Sequence, residues 1–230
     1  YGGTVFGRRT RSEGGMTQIP LQRTILDLCG GRQGSWSKPY ALAGDPANPP
    51  YTRIVVDPLA FLGSDARLFP SLTSVTPRKP SEFQDVRDLP QIHGILAAPV
   101  CTVFSGSGAR WPRSDDEIRE ALALVDACVR LAYVLKPVWW AMENPVGKLN
   151  KWLGDPVMSF QPNDYGDPYT KRTLLWGNFN AAGLEAAKNP VPATEGSKLW
   201  RGYGGKSERT KQARSITPPG FAQAFCDTNP

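Results

Sequence analysis

The chain has one histidine, His93, in 230 residues, and only four cysteines, Cys29, Cys101, Cys128 and Cys226. So little histidine argues against a histidine-built metal site. The cysteines lie far apart with no paired spacing. That excludes a disulfide framework and a zinc cluster as first readings, and suits a reducing compartment. No apolar run approaches the roughly 18 residues of a membrane span, and nothing reads as a signal peptide. The expectation is a cytoplasmic protein with no membrane or metal partner. His93 reads as a packed, hydrogen-bonded strand residue rather than a catalyst.

What is present is basic. The net charge is +6 and the pI about 9.2, which suits a polyanionic partner. Hydrophobic residues make up 40%, enough for one sizeable core. The length fits one domain, or one domain plus a small appendage. Residues 1–15 are rich in glycine and arginine and lack an apolar period. They read as a disordered extension or tag, with Met16 as an alternative start.

Short apolar strands alternate with helical patterns along the rest. Thr24–Leu28 closes on a glycine turn, Cys29–Ser35, and a helix start. Arg53–Asp57 is a second strand with an acid at its end, and Phe83–Val86 a weaker acid-bearing segment. Ile92–Ala98 is the next strand. Ser114–Glu117 is a capping box, followed by Ile118, Leu122, Val125, Val129 and Ala132 at helical spacing and a stop at Lys136-Pro137. Val138–Met142 and Thr173–Trp176 are later strands. The pattern predicts an α/β fold, a doubly wound, mostly parallel sheet with helices on both faces. Residues 180–211, low in apolar periodicity, read as an exposed basic insertion. It divides a core at 16–179 from a closing segment at 212–230.

Ligands of such sheets bind outside the carboxyl ends of the strands. Gly30, Gly34, Asp57, Asp85, Cys101 and Glu143 all fall at such ends. Alone, Cys101 reads first as a buried structural thiol. Paired with Glu143, at the end of the next strand, it suggests covalent chemistry by a soft nucleophile. The first glycine turn brings backbone amides toward a ligand at a helix start. It lacks the P-loop Lys-Ser/Thr and does not fit the dinucleotide fingerprint. Asp57 suits ribose hydroxyls and Asp85 an adenine amino group, although each also reads as a cap or turn aspartate. Together they describe a pocket for an adenosine-bearing molecule.

The strings LDLCGGRQGSW, IVVDPL, FQDV, APVCTVFS, ENP, DYGDPYTKRTLLWGNF and RSITPPGFAQAF occur in that order. As an ordered set, from about Thr24 to about Asn229, they resemble the motifs of cytosine-5 DNA methyltransferases, most of all a compact phage and environmental branch. The resemblance implies a Rossmann-like, S-adenosylmethionine-dependent enzyme acting on DNA, with a phage-encoded origin as one setting and a monomer as the expected state. It maps the nucleophile that attacks carbon 6 of a flipped cytosine to Cys101. The glutamate that contacts ring nitrogen 3 maps to Glu143. It sets the cofactor against Asp27, Cys29, Gly30, Gly31, Arg32, Gln33, Gly34, Ser35, Trp36, Asp57, Pro58, Asp85, Val86, Pro99 and Thr217, with Phe221 as another wall. Ser105 and Arg110, on the loop after the thiol, become phosphate contacts.

Four departures from the family stand out. Lys171 takes the place of the first pocket arginine and Thr173 that of the second, with Arg172 between them. Strand alternation favours Lys171 in the pocket, with Arg172 the less certain catalytic candidate. Lysine cannot repeat a bidentate guanidinium contact. Val100 replaces the proline before the nucleophile. About thirty residues stand where a large target-recognition domain belongs; they carry Lys198, Arg201, Lys206 and Arg209 as DNA contacts and predict relaxed sequence preference. Arg32 and Gln33 lengthen the cofactor turn. An arginine there suits a donor with an extra carboxylate, carboxy-S-adenosylmethionine, as the alternative cofactor. The other readings are an RNA or free-nucleotide cytosine methyltransferase, and a catalytically weak DNA-binding or decoy protein.

Overall fold

A computed structural model describes residues 23–30, 34–43, 51–56, 91–106, 111–197 and 214–230. One six-stranded sheet runs through them. In chain order its strands are β1 (Arg23–Leu28), β2 (Tyr51–Val56), β3 (Ile92–Ala97), β4 (Trp139–Pro145), β5 (Met158–Phe160) and β6 (Thr173–Asn178). Their spatial order is β2-β1-β3-β4-β6-β5. The first four are parallel to one another, while β6 runs antiparallel between β4 and β5.

The parallel strands are buried on both faces, so apolar residues occupy consecutive positions in them instead of strictly alternating with polar ones. Within β1, Ile25 joins one core and Leu26 the other. Leu96 and Ile95 divide β3 in the same way, and Ala141 and Met142 divide β4. The helix α2 (Asp115–Leu135) covers one face with Ala121, Val125, Cys128 and Ala132. Its capping box forms as the sequence predicts. Ser114 Oγ accepts from the Glu117 amide at 3.1 Å, and Glu117 Oε2 accepts from the Ser114 amide at 2.9 Å. The helix stops at Lys136, left-handed at φ 46°, just before Pro137.

The opposite face carries α1 (Lys38–Leu42), a 3-10 turn (Pro162–Tyr165), α4 (Ala181–Ala186) and α5 (Pro219–Thr228). A further short helix, α3 (Asn150–Leu153), follows β4. Aromatic rings fill the space beneath α5. Phe160 and Phe221 stack at 3.7 Å, and Phe225 meets Trp36 and Trp139 edge-on. The fold is therefore the expected doubly wound, mostly parallel α/β sheet.

The structure moves three boundaries. The strand expected at Val138–Met142 runs on to Pro145, because β6 pairs with it as far as Pro145↔Thr173. Glu143 thus lies inside a strand rather than beyond one. The closing helix, expected at 222–226, spans Pro219–Thr228. The stretch read as a free insertion from residue 180 is bonded to the core as far as residue 197. Leu184 is fully buried, the Tyr165 hydroxyl donates to the Leu184 carbonyl at 3.1 Å, and the Thr170 amide donates to Gly196 at 2.9 Å. Residues 1–15, 83–86 and 198–211 lie outside the described part. His93 packs edge-on against Trp139, and its Nε2 lies 2.8 Å from the Pro230 carbonyl. No helix among the described residues is long and apolar enough to cross a membrane, and no cluster of metal-ligating side chains occurs among them.

Candidate active site

The turn after β1 is wrapped around one carboxylate. Asp27 is wholly buried and accepts from Ser37 Oγ at 2.5 Å and from the Ser37 amide at 3.3 Å. A Cβ on Gly30 would fall 2.3 Å from Asp27 Oδ1. One on Gly34, at φ +55°, would fall 2.7 Å from Val55. Both positions therefore require glycine. Cys29 is itself left-handed at φ 59°, and its amide donates to the Val56 carbonyl at 2.7 Å, tying the turn to β2. Asp27, expected beside the cofactor, is thus a residue whose carboxylate points inward and shapes the turn.

Trp36 also differs from expectation. Its ring is 1% exposed and packs on Phe221 and Phe225, with centroids at 5.8 and 5.3 Å. Phe221 is equally buried. Both are core, and neither presents a face to a small molecule. The expected meeting of the chain's two ends does occur: the Thr217 amide donates to Ser35 Oγ at 3.0 Å. Cys29, Gly30 and Ser35 remain partly accessible at the carboxyl edge of the sheet. Gly30 and Gly34 keep this edge free of side chains at two positions, which lets backbone approach a nucleoside-bearing cofactor closely. Gly31, Arg32, Gln33, Asp57, Pro58, Asp85 and Val86 lie outside the described residues.

The candidate nucleophile lies four residues beyond β3. Pro99 is buried, Val100 exposed and Cys101 partly accessible. The Cys101 carbonyl accepts from the amides of Phe104 at 3.2 Å and Ser105 at 2.8 Å. This loop is clamped to the one after β4. Gly106 donates to Val146 at 2.9 Å, Lys148 donates to Phe104 at 2.7 Å, and Ser105 bridges Gly147. Asn144, fully buried, donates through Nδ2 to the Pro99 carbonyl at 3.2 Å. Ser105 is 9% exposed inside this clamp, so it anchors the loop instead of standing out as a phosphate contact. Arg110 lies outside the described residues.

The clamp leaves no room at Gly147, where a Cβ would sit 1.9 Å from the Phe104 carbonyl oxygen. Gly147→Ala is expected to cost about 1–3 kcal/mol of stability. It will also displace the thiol and change the rate of its alkylation. Thermal unfolding and iodoacetamide labelling of Cys101 read the two effects. Wild-type values for both would contradict the clamp.

Antiparallel β6 completes the site. Its N-terminal lead-in arrives at the carboxyl end of β4, which puts Lys171 at the same end of the sheet as Glu143 and Cys101. Lys171 is 4% exposed and Glu143 8%. The Lys171 amide donates to Gln161 Oε1 at 3.0 Å, and its carbonyl accepts from Thr173 Oγ1 at 2.8 Å. Alternation holds as read: Lys171 and Thr173 are buried and Arg172 is exposed. Lys171 therefore joins the thiol and the carboxyl group, while Arg172 does not.

Burial pushes the Cys101 thiol up, and the Glu143 charge adds to that. Lys171, a backbone hydrogen bond and Arg214 pull it down. Burial likewise raises Glu143, with Lys171 opposing. Glu143 Oε2 is buried with no hydrogen-bond partner among the described residues. A buried polar oxygen left unpaired is costly, and such cost persists at sites built for a ligand. A carboxyl group of raised pKa holds its proton to higher pH than a free one does, which suits it to donate that proton.

These couplings set a sign. Lys171→Gln removes a cation that favours the thiolate, so iodoacetamide alkylation of Cys101 will shift to higher pH. Glu143→Gln removes an anion, and alkylation will shift to lower pH. Shifts in the same direction for both variants would contradict the arrangement.

Sequence reasoning missed Asn144, Gly147, Gln161 and Arg214. Asn144 and Arg214 lie inside the ordered motifs, but spacing alone assigns them no partner. No family model and no curated protein matches this chain. Among solved structures the chain is similar to an E. coli protein provisionally named a DNA modification methyltransferase encoded within a prophage. The two share 18% sequence identity with a TM-score of 0.43, over 77% of this chain and 54% of the other. This chain thus spans about half the length of that protein.

Proposed function

We propose that this chain is an S-adenosylmethionine-dependent DNA methyltransferase that modifies carbon 5 of cytosine through a covalent bond from Cys101. The observation that carries the reading is a partly accessible thiol, a buried carboxyl group with one unpaired oxygen, and a buried lysine at the carboxyl edge of one sheet. The ordered motif resemblance selects cytosine among the substrates such a site would serve.

A base in a duplex must leave the stack to reach this edge, at a cost of a few kcal/mol. Glu143, whose carboxyl pKa burial raises, donates a proton to ring nitrogen 3. Lys171 and Arg214 favour ionisation of the thiol. The Cys101 sulfur then attacks carbon 6, and the displaced ring electrons settle as an enamine whose carbon 5 is nucleophilic. S-adenosylmethionine held near the first turn would supply the methyl group that carbon 5 takes, its sulfonium–methyl bond breaking to leave S-adenosylhomocysteine. Solvent water takes the carbon 5 proton, the electron pair of that bond restores the ring's 5,6 double bond, the Cys101 sulfur leaves as thiolate, and the nitrogen proton returns to Glu143. Asn144 and the Gly147 clamp hold the thiol in place meanwhile.

Nucleoside mass spectrometry of DNA incubated with the protein and S-adenosylmethionine tests the reading. It should show 5-methylcytosine; its absence, with the protein folded, would contradict the assignment. The same measurement with carboxy-S-adenosylmethionine settles the alternative donor suggested by Arg32, since its product would be 5-carboxymethylcytosine.

A further inference from the structure

The described residues contain a basic, aromatic rim beside the thiol that sequence reasoning did not assign. After β4 the chain runs Val146, Gly147, Lys148, Leu149 into α3. Leu149 turns inward and is 1% exposed, which anchors the segment in the core. Lys148, Lys151 and Trp152 are consequently turned outward and exposed. Trp152 is 49% exposed, and its ring lies 6.1 Å from that of Phe104, on the loop that Cys101 begins. Trp176 Nε1 donates to Gly154 at 3.0 Å and secures the far end of α3. Arg172 joins the same rim, because its carbonyl accepts from the Val146 amide at 3.3 Å and its side chain is exposed.

The charge on this rim has one sign. No acidic residue occurs from Asn144 to Gly154, so Lys148 and Lys151 have no carboxylate within their own segment. Three exposed cations and one exposed indole lie on segments that are bonded to, or packed on, the loop that Cys101 begins and the lead-in that carries Lys171. Cations hold phosphates by position, and an indole offers a stacking face to any base or sugar. We propose that Lys148, Lys151, Trp152 and Arg172 form a DNA backbone-binding rim that grips the strand beside the flipped base. This proposal rests on the methyltransferase reading and deepens it. It moves part of the DNA grip from residues 198–211 to the segment between β4 and α3. Such a rim reads no base edges, and it acts on any sequence.

The test is fluorescence anisotropy of a fluorescein-labelled duplex 20-mer against protein, across a salt series. Lys148→Gln combined with Lys151→Gln should raise Kd about tenfold. The slope of log Kd against log salt should fall by about 0.9 for each phosphate that the protein no longer neutralises. Arg172→Gln, separately, should lower the slope by the equivalent of about one phosphate. Trp152→Ala should weaken binding several-fold, and Trp152→Phe should restore it to within about twofold. Calorimetric binding of S-adenosylhomocysteine should be the same in all variants, which shows that the fold and the cofactor site are intact.

Wild-type Kd and salt slope in both the double lysine variant and Arg172→Gln would overturn the rim. In that case 5-methylcytosine formation by the unaltered protein would leave the enzyme reading standing. Conversely, salt-dependent DNA binding that the variants weaken, with no base product from the unaltered protein, would retain the rim and sink the enzyme reading.

Discussion

Cys101→Ala will abolish cytosine modification, with a loss of at least about four orders of magnitude, because it removes the thiol that is coupled to Glu143 and Lys171. The variant will stay folded. The side chain is small and partly accessible, and its removal costs about 1 kcal/mol or less. The first turn, held by Asp27, Ser37 and the Ser35–Thr217 contact, does not involve the thiol. Affinity for S-adenosylhomocysteine should therefore be unchanged. A parallel loss of cofactor affinity would make Cys101 a packing residue.

Glu143→Gln is the second large effect. An amide can still hydrogen-bond to the base, but it supplies no proton to ring nitrogen 3. General acid catalysis of this kind contributes about 10²–10⁴-fold, and a loss in that range is expected in kcat with little change in DNA affinity. The same variant should show the more reactive thiol described above, since an anion near Cys101 is gone. A more reactive nucleophile in a slower enzyme separates the two roles. Activity within tenfold of the unaltered protein would remove Glu143 from the chemistry.

The parts legible in the sequence are those governed by local physics. β1 and β3 appear as short, mostly apolar runs, broken only by residues such as Asp27 and His93, because both of their faces are covered. α2 announces itself through Ser114, Glu117 and the 3.6-residue period. Lys171 could be placed inward and Arg172 outward by strand alternation alone. β5, three residues long, and α4, six residues of mostly small side chains, give no period to read. They are fixed by contacts such as Leu184 in the core and the Tyr165 hydroxyl on its carbonyl.

The site misreadings share one cause. Asp27 and Trp36 belong to a turn motif, but spacing does not say which way a turn side chain points. Asp27 turns in to accept from Ser37, and Trp36 turns in because α5 brings Phe221 and Phe225 from the far end of the chain. Ser105 is covered by a loop more than forty residues away, and Asn144 reaches Pro99 across a separation of 45 residues. Long-range closure of this kind leaves no mark on local composition.

The most direct measurement is covalent capture on DNA carrying 5-fluorocytosine. Fluorine at carbon 5 cannot leave as a proton does, so the bond from sulfur to carbon 6 persists once the methyl group is added. The account predicts a denaturation-resistant protein–DNA adduct that forms only with S-adenosylmethionine, maps by peptide mass to Cys101 and disappears in Cys101→Ser. Methylated product from the protein without such an adduct, or an adduct that survives in Cys101→Ser, would contradict it.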